Sequence, residues 1–251
     1  LCALVVPWLI ASMDLAENLS SIQKRIEAAC ARVNRDPGEV LLLAVSKGHP
    51  PEMIKEAAEL GLTVFGESKV QEAKTKIPLS PGKCRWQMIG HLQTNKARDA
   101  VHLFEMIQSV DSLHLAEEIN KWCDRQAKTM PVLLEVNVAG ESSKFGYKPE
   151  QLLAELDKIN ALSKIEIHGL MTIAPYATDP EKVRPVFRKL RELKTECEQR
   201  IGAPLPHLSM GMSGDFEVAI EEGATIVRVG TLLFGARTYA RTKVGAEAEE
   251  V

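Results

Sequence analysis

Short apolar runs and amphipathic segments alternate regularly along this 251-residue chain, and the alternation leaves few folds open to it. The intervening segments, such as PEMIKEAAELG and KPEQLLAELDKINAL, repeat apolar residues every three to four positions, which is typical of helices. Strands joined by helices imply right-handed crossovers and a parallel sheet. Eight runs are predicted to be strands: residues 40–46, 63–67, 85–90, 104–110, 131–138, 165–172, 207–211 and 225–230. The pattern therefore predicts an α/β fold, a single-domain (β/α)8 TIM barrel.

A doubly wound open sheet is the alternative, because one misplaced strand would change the count. No GxGxxG motif follows the first strand, so the dinucleotide fingerprint of that alternative is absent. The stretch MDLAENLSSIQKRIEAACARV has an amphipathic pattern and predicts an extra helix before the barrel. We expect a barrel domain over residues 13–239, preceded by an upstream, non-native leader (1–12) and followed by a polar tail (240–251).

The amino-acid composition of the chain limits the kinds of molecule that it is expected to bind. Apolar residues make up 45% of the chain, charged residues 26%, and the net charge is −3, as in ordinary globular proteins. Without a basic excess, we expect neither nucleic acid nor an anionic membrane as a partner. Five scattered cysteines, with no CxxC pair, predict neither disulfides nor a zinc site and favour a cytoplasmic location.

Lys47 ends the apolar run of the first predicted strand, LLLAVSKGHP. A lysine after a strand is usually a solvated surface residue, because a buried ammonium loses its hydration. In a partly apolar pocket the same side chain has a lowered pKa, and its neutral amine can form a Schiff base with an aldehyde. Active sites of TIM barrels lie at the carboxyl ends of the strands, where Lys47 is expected. Both interpretations of Lys47 remain open at this point.

Two loops rich in small residues follow the last two predicted strands. LSMGMSGDF contains Ser209, Gly211, Ser213 and Gly214, and VRVGTLLFG contains Gly230 and Thr231. Such residues make turns and helix caps, but backbone N–H groups beside a hydroxyl also bind phosphate. Barrels often bind phosphate after strands 7 and 8, and strand 8 must close against strand 1. We therefore expect both loops to lie beside Lys47, a combination that suits a phosphorylated aldehyde such as pyridoxal 5′-phosphate.

Arg228 alternates with Ile226 on the last strand, so both side chains are expected on one face. Its guanidinium could contact a phosphate or a pyridine nitrogen, or it could pair with a nearby glutamate. Lys144 lies in a loop and is an alternative amine. For the other polar residues near strand ends, a structural role explains the residue about as well as a functional one. These residues are His91, Gln93, Asn95, Glu135 and Asn137.

Several longer motifs closely resemble those of the pyridoxal phosphate homeostasis proteins, the YggS/PROSC family. They are AVSKGHP, FGESKVQEAKTK, WQMIGHLQTNK, SVDSLHLAEEIN, EVNVAGESSKFG, IHGLMTIAP and LSMGMSGDFEVAIEEGATIVRVGTLLFGAR. The resemblance covers residues 14–237 and implies the type III fold for pyridoxal phosphate, like the N-terminal domain of alanine racemase. It further implies Lys47 as the Schiff-base lysine and Arg228 at the pyridine nitrogen. The implied phosphate ligands are Ser209, Gly230 and Thr231, with Ser213 as a further candidate.

The chain departs from the family pattern at two places. Ser68 and Lys69 stand where the family usually has an asparagine and a tyrosine, so Ser68 is the implied but weaker contact to the cofactor ring. The family also favours SKTKP where this chain has SKGHP. His49 is therefore near the lysine, and we expect it to face solvent from the loop.

The resemblance implies a protein that holds and supplies pyridoxal phosphate rather than a dedicated enzyme. Racemisation would need a second acid–base group, and the tyrosines Tyr147, Tyr176 and Tyr239 include no evident candidate. A weak amino-acid racemase and a Schiff-base aldolase acting on a phosphosugar remain the alternatives. The implied partners are pyridoxal phosphate and apo-enzymes that use it, with the protein a monomer or weak dimer. No HExxH, GxSxG or GxxxxGK[ST] motif occurs.

Overall fold

The computed structural model describes residues 8–141 and 144–236, with side chains from Leu15 onward. Eight parallel strands close into a barrel in chain order. Their bounds are β1 (Leu41–Val45), β2 (Val64–Glu67), β3 (Arg85–Met88), β4 (Met106–Val110), β5 (Met130–Glu135), β6 (Ile165–Met171), β7 (His207–Ser209) and β8 (Ile226–Val229). The barrel closes where Leu43 pairs with Arg228 and Ala44 with Val229. The predicted TIM barrel is confirmed, and the open sheet is wrong.

Helices surround the barrel and bury one face each against it. Their bounds are α1 (Trp8–Arg32), α2 (Pro51–Glu59), α3 (Val70–Lys76), α4 (Ala97–Leu103), α5 (Leu113–Arg125), α6 (Pro149–Asn160), α7 (Arg184–Ile201), α8 (Phe216–Glu221) and α9 (Thr231–Phe234). Helix α5 shows the local logic: Ser112 caps it by accepting the N–H of Leu115 at 3.3 Å, and Leu115 and Ile119 are buried. The helical period therefore orients each helix toward the sheet.

The barrel interior contains both apolar and polar side chains. The apolar ones form one buried cluster that includes Leu43, Val45, Val64, Ile89, Met106, Leu133, Met171 and Ile226. Side chains two positions apart on a strand share a face, so Gln108, Glu135 and Arg228 also point inward, after Met106, Leu133 and Ile226. All three polar side chains are buried. A layer of buried polar groups therefore lies within the apolar interior, toward the carboxyl ends of the strands.

Several strands end earlier than the sequence pattern predicts. Strand β3 ends at Met88, β5 at Glu135 and β7 at Ser209, two or three residues before the predicted ends. Gly211 has a φ of +90°, a conformation outside the strand region, so the chain turns immediately after β7. The residues between the predicted and the observed strand ends belong instead to loops at the carboxyl end of the barrel.

The predicted N-terminal helix is present as α1 and begins at Trp8 rather than at Met13. Leu15, Leu19, Ile22 and Ile26 are buried on one face, and α1 packs against α8 and α9. Residues 1–7 and 240–251 lie outside the described residues, so the division into leader, domain and tail stays a prediction. Within the described ranges, no helix is long and apolar enough to cross a membrane.

Candidate functional site

A cavity of about 700 Å³ opens at the carboxyl ends of the strands. It is lined by Lys47 from the turn after β1, by Arg228 from β8, and by residues that follow β7 (Ser213 and Gly214) and β8 (Gly230 and Thr231). Its volume lies within the range of about 300–1,000 Å³ that is typical of small-molecule sites. The structure thus brings Lys47 and both small-residue loops to one cavity, as the order of the strands predicts.

Lys47 leaves the barrel through a tightly held turn. Ser46 is fully buried, and its N–H donates to the carbonyl of Gly66 on β2 at 3.2 Å. Gly48, with a φ of +76°, then turns the chain, and the N–H of His49 donates to the carbonyl of Ser46 at 3.1 Å. Lys47 is half-buried on the cavity wall. Its flexible side chain therefore starts from a fixed backbone position.

Arg228 presents a buried guanidinium to the cavity. Its Nη1 donates to the hydroxyl of Ser209 at 2.6 Å, and its Nη2 donates to the carbonyl of Thr172 at 2.7 Å. Burial lowers the pKa of Arg228 to about 10, although the carboxylates of Glu135 and Asp215 oppose that shift. The guanidinium still carries its charge at neutral pH. The barrel therefore holds a permanent cation at the base of the cavity.

Ser209 supports Arg228 instead of lining the cavity. Its side chain is fully buried, and its hydroxyl donates to Oε1 of Gln108 at 2.6 Å while accepting from Arg228. Gln108 in turn donates to Oε1 of Gln87 at 2.5 Å. This chain of side chains crosses the barrel from β3 to β8. The placement does not favour the implied contact of the Ser209 side chain with phosphate.

The loops after β7 and β8 meet at Ser213. The N–H of Leu232 points to the Ser213 hydroxyl at 3.5 Å, at the limit of a hydrogen bond. A Cβ at Gly211 would lie 2.8 Å from the Cα of Phe216, so only glycine fits where the first loop packs on α8. Gly230 and Thr231 begin the turn of α9, where the first N–H groups of a helix have no acceptor inside it. Hydroxyl and N–H donors are thus available on this side of the cavity.

Ser68 lines the cavity at the end of β2, beside Gly90 from the end of β3. The two backbones are in close contact: a Cβ on Gly90 would lie 2.4 Å from the Ser68 carbonyl oxygen. Lys69, the other departure from the family pattern, is exposed and precedes α3. The structure therefore places Ser68 at the cavity and Lys69 outside its wall.

Of the remaining predicted candidates, one lines the cavity and the others lie outside its lining. Lys144 lines the cavity and pairs with Glu141. The side chain of Asn137 binds the backbone of its own loop, accepting from the N–H of Gly140 at 3.0 Å and donating to the carbonyl of Glu141 at 2.7 Å. Gln93 and Asn95 are exposed and do not belong to the cavity lining.

Both histidines near the site have structural contacts. The expectation that His49 faces solvent is wrong: it is 5% exposed, and its ring lies 5.1 Å from that of Phe234. Packing against α9 explains this burial. His91 lies 2.9 Å from a carboxylate oxygen of Asp111, and its ring stacks on Phe145 at 3.6 Å. His91 therefore supports the loop that carries Lys144.

Glu135 is the buried carboxyl group of the interior layer. Burial, together with the negative charge of Asp111, raises the pKa of Glu135 to about 7, while Arg228 opposes the shift. Its Oε2 has no hydrogen-bond partner in the part of the chain that the structure describes. The ionisation of Glu135 therefore changes the charge next to Arg228 near neutral pH.

Sequence reasoning missed Gln87, Gln108 and a buried lysine, Lys76. Each glutamine stands between apolar residues in a strand segment, RWQMIG or FEMIQSV, and a polar side chain at such a position is a usable signal of a polar interior layer. Lys76 gives no such signal, because its helix carries a second lysine, Lys74, only two positions away. Only its partners, described below, distinguish it.

Comparisons with known proteins agree with this geometry. The model of the alanine racemase N-terminal domain family matches residues 17–238. A relative from Aquifex aeolicus, named pyridoxal phosphate homeostasis protein, is 48% identical over 228 residues, which cover 90% of this chain and 100% of the relative. The chain belongs to the pyridoxal phosphate homeostasis protein family. The resemblance seen in the sequence motifs is thereby confirmed.

Two solved structures are also similar to this member of the pyridoxal phosphate homeostasis protein family. PipY of Synechococcus elongatus PCC7942, solved with PLP bound, matches with a TM-score of 0.78 and 38% identity, over 88% of this chain and 100% of PipY. An alanine racemase of Clostridium difficile 630 matches with a TM-score of 0.70 at 16% identity, over 92% of this chain and 59% of the racemase. The racemase match shows the fold alone.

Proposed function

We propose that this protein binds pyridoxal 5′-phosphate reversibly and serves intracellular vitamin B6 homeostasis by holding and supplying the cofactor. The observation that carries the proposal is one cavity lined by an amine (Lys47), a guanidinium (Arg228) and two hydroxyl groups (Ser213 and Thr231). The names of its relatives and the PLP-bound structure of PipY support the same function.

The residues present fit this cofactor. The cofactor supplies an aldehyde, which a lysine amine can hold as a Schiff base. We assign that amine to Lys47, and we assign phosphate binding to Ser213, Gly230 and Thr231, which line the cavity and carry hydroxyl and N–H donors. Ser68 is the proposed polar contact from the end of β2, and Ser209 acts on the site through Arg228.

Arg228 favours storage of the cofactor over catalysis. We assign its guanidinium to the pyridine nitrogen. A guanidinium keeps its own proton, so it leaves that nitrogen neutral, and a neutral ring is a weak acceptor of electrons from a substrate. Such a site binds the aldehyde without strongly activating an amino acid.

The competing function, a weak racemase, needs a second acid–base group at the cavity. Tyr176 lines the cavity but is 93% exposed, so the part of the chain that the structure describes gives its side chain little packing to hold it in place for proton transfer. Tyr147 is fully buried and not part of the lining, and Tyr239 lies outside the described residues. A Schiff-base aldolase, the other alternative, would use Lys47 without retaining pyridoxal phosphate.

Borohydride reduction followed by peptide mass mapping tests the proposal. We expect purified protein incubated with pyridoxal 5′-phosphate to carry the reduced label on Lys47, and Lys47→Ala to lose both the label and the visible absorption band. Lys144→Ala is the matched control, since Lys144 lines the same cavity, and it should keep the label at Lys47.

Three results would contradict the proposal. A label on Lys144 instead of Lys47 would move the binding amine. Absence of label from every lysine would remove the cofactor and favour the aldolase. Racemisation of alanine or serine well above the rate with free cofactor would favour the racemase.

We further infer a cytoplasmic protein, monomeric or weakly dimeric, whose partners are apo-enzymes that require the cofactor rather than nucleic acid or membrane. The net charge of −3 and the scattered cysteines support this inference. Transfer of cofactor from loaded protein to an apo-aminotransferase, faster than from an equal concentration of free cofactor, would test it. A transfer rate no higher than that from free cofactor would contradict direct supply.

A further inference from the structure

A buried ammonium lies outside the cavity, beneath the turn that carries Lys47. Lys76 stands on the last turn of α3, and its side chain is 4% exposed. Its Nζ donates to the carbonyl oxygen of Ser46 at 2.8 Å, to Oε1 of Glu67 at 2.6 Å and to Oε1 of Glu72 at 2.7 Å. All three donors of the ammonium therefore have acceptors, a geometry that fixes its position.

These acceptors connect Lys76 to the peptide groups on both sides of Lys47. Ser46, which precedes Lys47, is held twice: its carbonyl accepts from Lys76, and its hydroxyl donates to Glu67 at 2.7 Å. Gly48, which follows Lys47, donates its N–H to Oε1 of Glu72 at 2.6 Å. One ammonium thus links the two backbone anchors that flank Lys47.

The arrangement is unusual for a group whose purpose is only stability. Moving charges out of water is costly, and replacing a buried ion pair by apolar side chains is often neutral or stabilising. Glu67 is fully buried and Lys76 nearly so, yet an apolar pair at these positions could not bind the Ser46 carbonyl. The charged cluster therefore orients the Ser46–Gly48 segment, which an apolar core could not do.

We propose that Lys76 is a positioning residue for Lys47, because its ammonium fixes the backbone on both sides of Lys47 and so directs the Lys47 amine into the cavity. The inference rests on the proposed function, in which Lys47 takes the aldehyde. Lys47 has a flexible four-carbon stem, so a fixed backbone limits the positions that its amine can reach. Displacement of a reacting group by about 1 Å can slow a reaction on the order of 100-fold.

Two ligands that differ only at the reacting carbon test this role. Pyridoxal 5′-phosphate reports formation of the Schiff base at Lys47, and pyridoxine 5′-phosphate, with an alcohol in place of the aldehyde, reports the cavity alone. For Lys76→Met we expect the rate of Schiff-base formation, followed by absorbance and by borohydride trapping, to fall about 10- to 100-fold. The dissociation constant for pyridoxine 5′-phosphate should stay within about twofold, a change of less than 0.5 kcal/mol by the usual conversion.

Two further variants control for general damage. Lys74→Met, on the same helix, removes an exposed lysine that pairs with Asp99. It should change neither the rate of Schiff-base formation nor the dissociation constant for pyridoxine 5′-phosphate. Glu72→Gln weakens the hold on the Gly48 N–H at a partly exposed position, so it should fold and show a smaller loss in the same direction. If near-ultraviolet circular dichroism shows Lys76→Met to be unfolded, Glu72→Gln decides the question.

The proposal would be overturned if Lys76→Met or Glu72→Gln weakened pyridoxine 5′-phosphate binding by the same factor as it slowed Schiff-base formation. Lys76 would then only maintain the fold. Unchanged Schiff-base formation in the deciding variant would overturn it as well. These results differ from failure of the proposed function, which would appear in the unmodified protein as pyridoxine 5′-phosphate binding without any label on Lys47.

Discussion

Replacing Ser209 with alanine distinguishes a residue that supports Arg228 from one that binds phosphate. In the structure the Ser209 hydroxyl donates to Gln108 at 2.6 Å and accepts from Arg228 at 2.6 Å. Ser209→Ala would leave a buried amide oxygen and a buried guanidinium N–H without these partners. Each unsatisfied buried group costs about 1–3 kcal/mol, so we expect the free energy of unfolding to fall by about 2–4 kcal/mol.

Urea denaturation of the cofactor-free protein, followed by circular dichroism and extrapolated linearly to water, measures this loss. Ser213→Ala is the matched control, because its hydroxyl lines the cavity and has only a 3.5 Å contact with the Leu232 N–H. We expect Ser213→Ala to change the free energy of unfolding by less than about 0.5 kcal/mol. It should instead weaken pyridoxine 5′-phosphate binding about tenfold, the effect of one hydrogen bond to a charged group.

The reverse pattern would refute this reasoning. If Ser209→Ala destabilises the protein no more than Ser213→Ala, its hydroxyl is not part of the buried chain. If it also weakens pyridoxine 5′-phosphate binding more than Ser213→Ala does, Ser209 is a phosphate ligand, as the family resemblance implies.

Two further predictions concern the interior carboxyl group and the turn after β7. The pKa of Glu135 is raised from 4.5 to about 7 in the folded protein, so the folded state binds more protons between these pH values and its stability falls as pH rises through them. The stability of Glu135→Gln relative to the unmodified protein should therefore rise by up to about 3 kcal/mol between pH 4.5 and 8 in urea titrations; a difference independent of pH would contradict the raised pKa. Gly211→Ala should cost about 2 kcal/mol or more, because its φ of +90° and the 2.8 Å approach of a Cβ to the Cα of Phe216 exclude a side chain. Gly214→Ala, with no atom within 4 Å of its Cβ, should be nearly neutral, and equal costs at the two glycines would show that the turn is not constrained.

The positions of Lys47, Ser213, Gly230 and Thr231 around one cavity could be predicted from sequence, because each follows a strand whose order in the barrel is dictated by its order in the chain. The roles of Ser209 and His49 could not. Ser209 is two residues from the turn at Gly211, and nothing in LSMGMSG shows whether its hydroxyl faces the cavity or the interior. The decision depends on Gln108, which lies 101 positions earlier in the chain.

The eight-strand barrel, and the end of it at which chemistry is possible, can be inferred from sequence because the periods of strands and helices are local properties of the chain. Contacts between distant residues, which local patterns do not show, establish which lysine is buried beneath the turn, which serine supports Arg228 and where each strand stops. No sequence pattern connects Lys76 with Ser46 and Glu67. They lie together because a buried charge needs hydrogen-bonding partners, and the folded chain provides these from distant positions in the sequence.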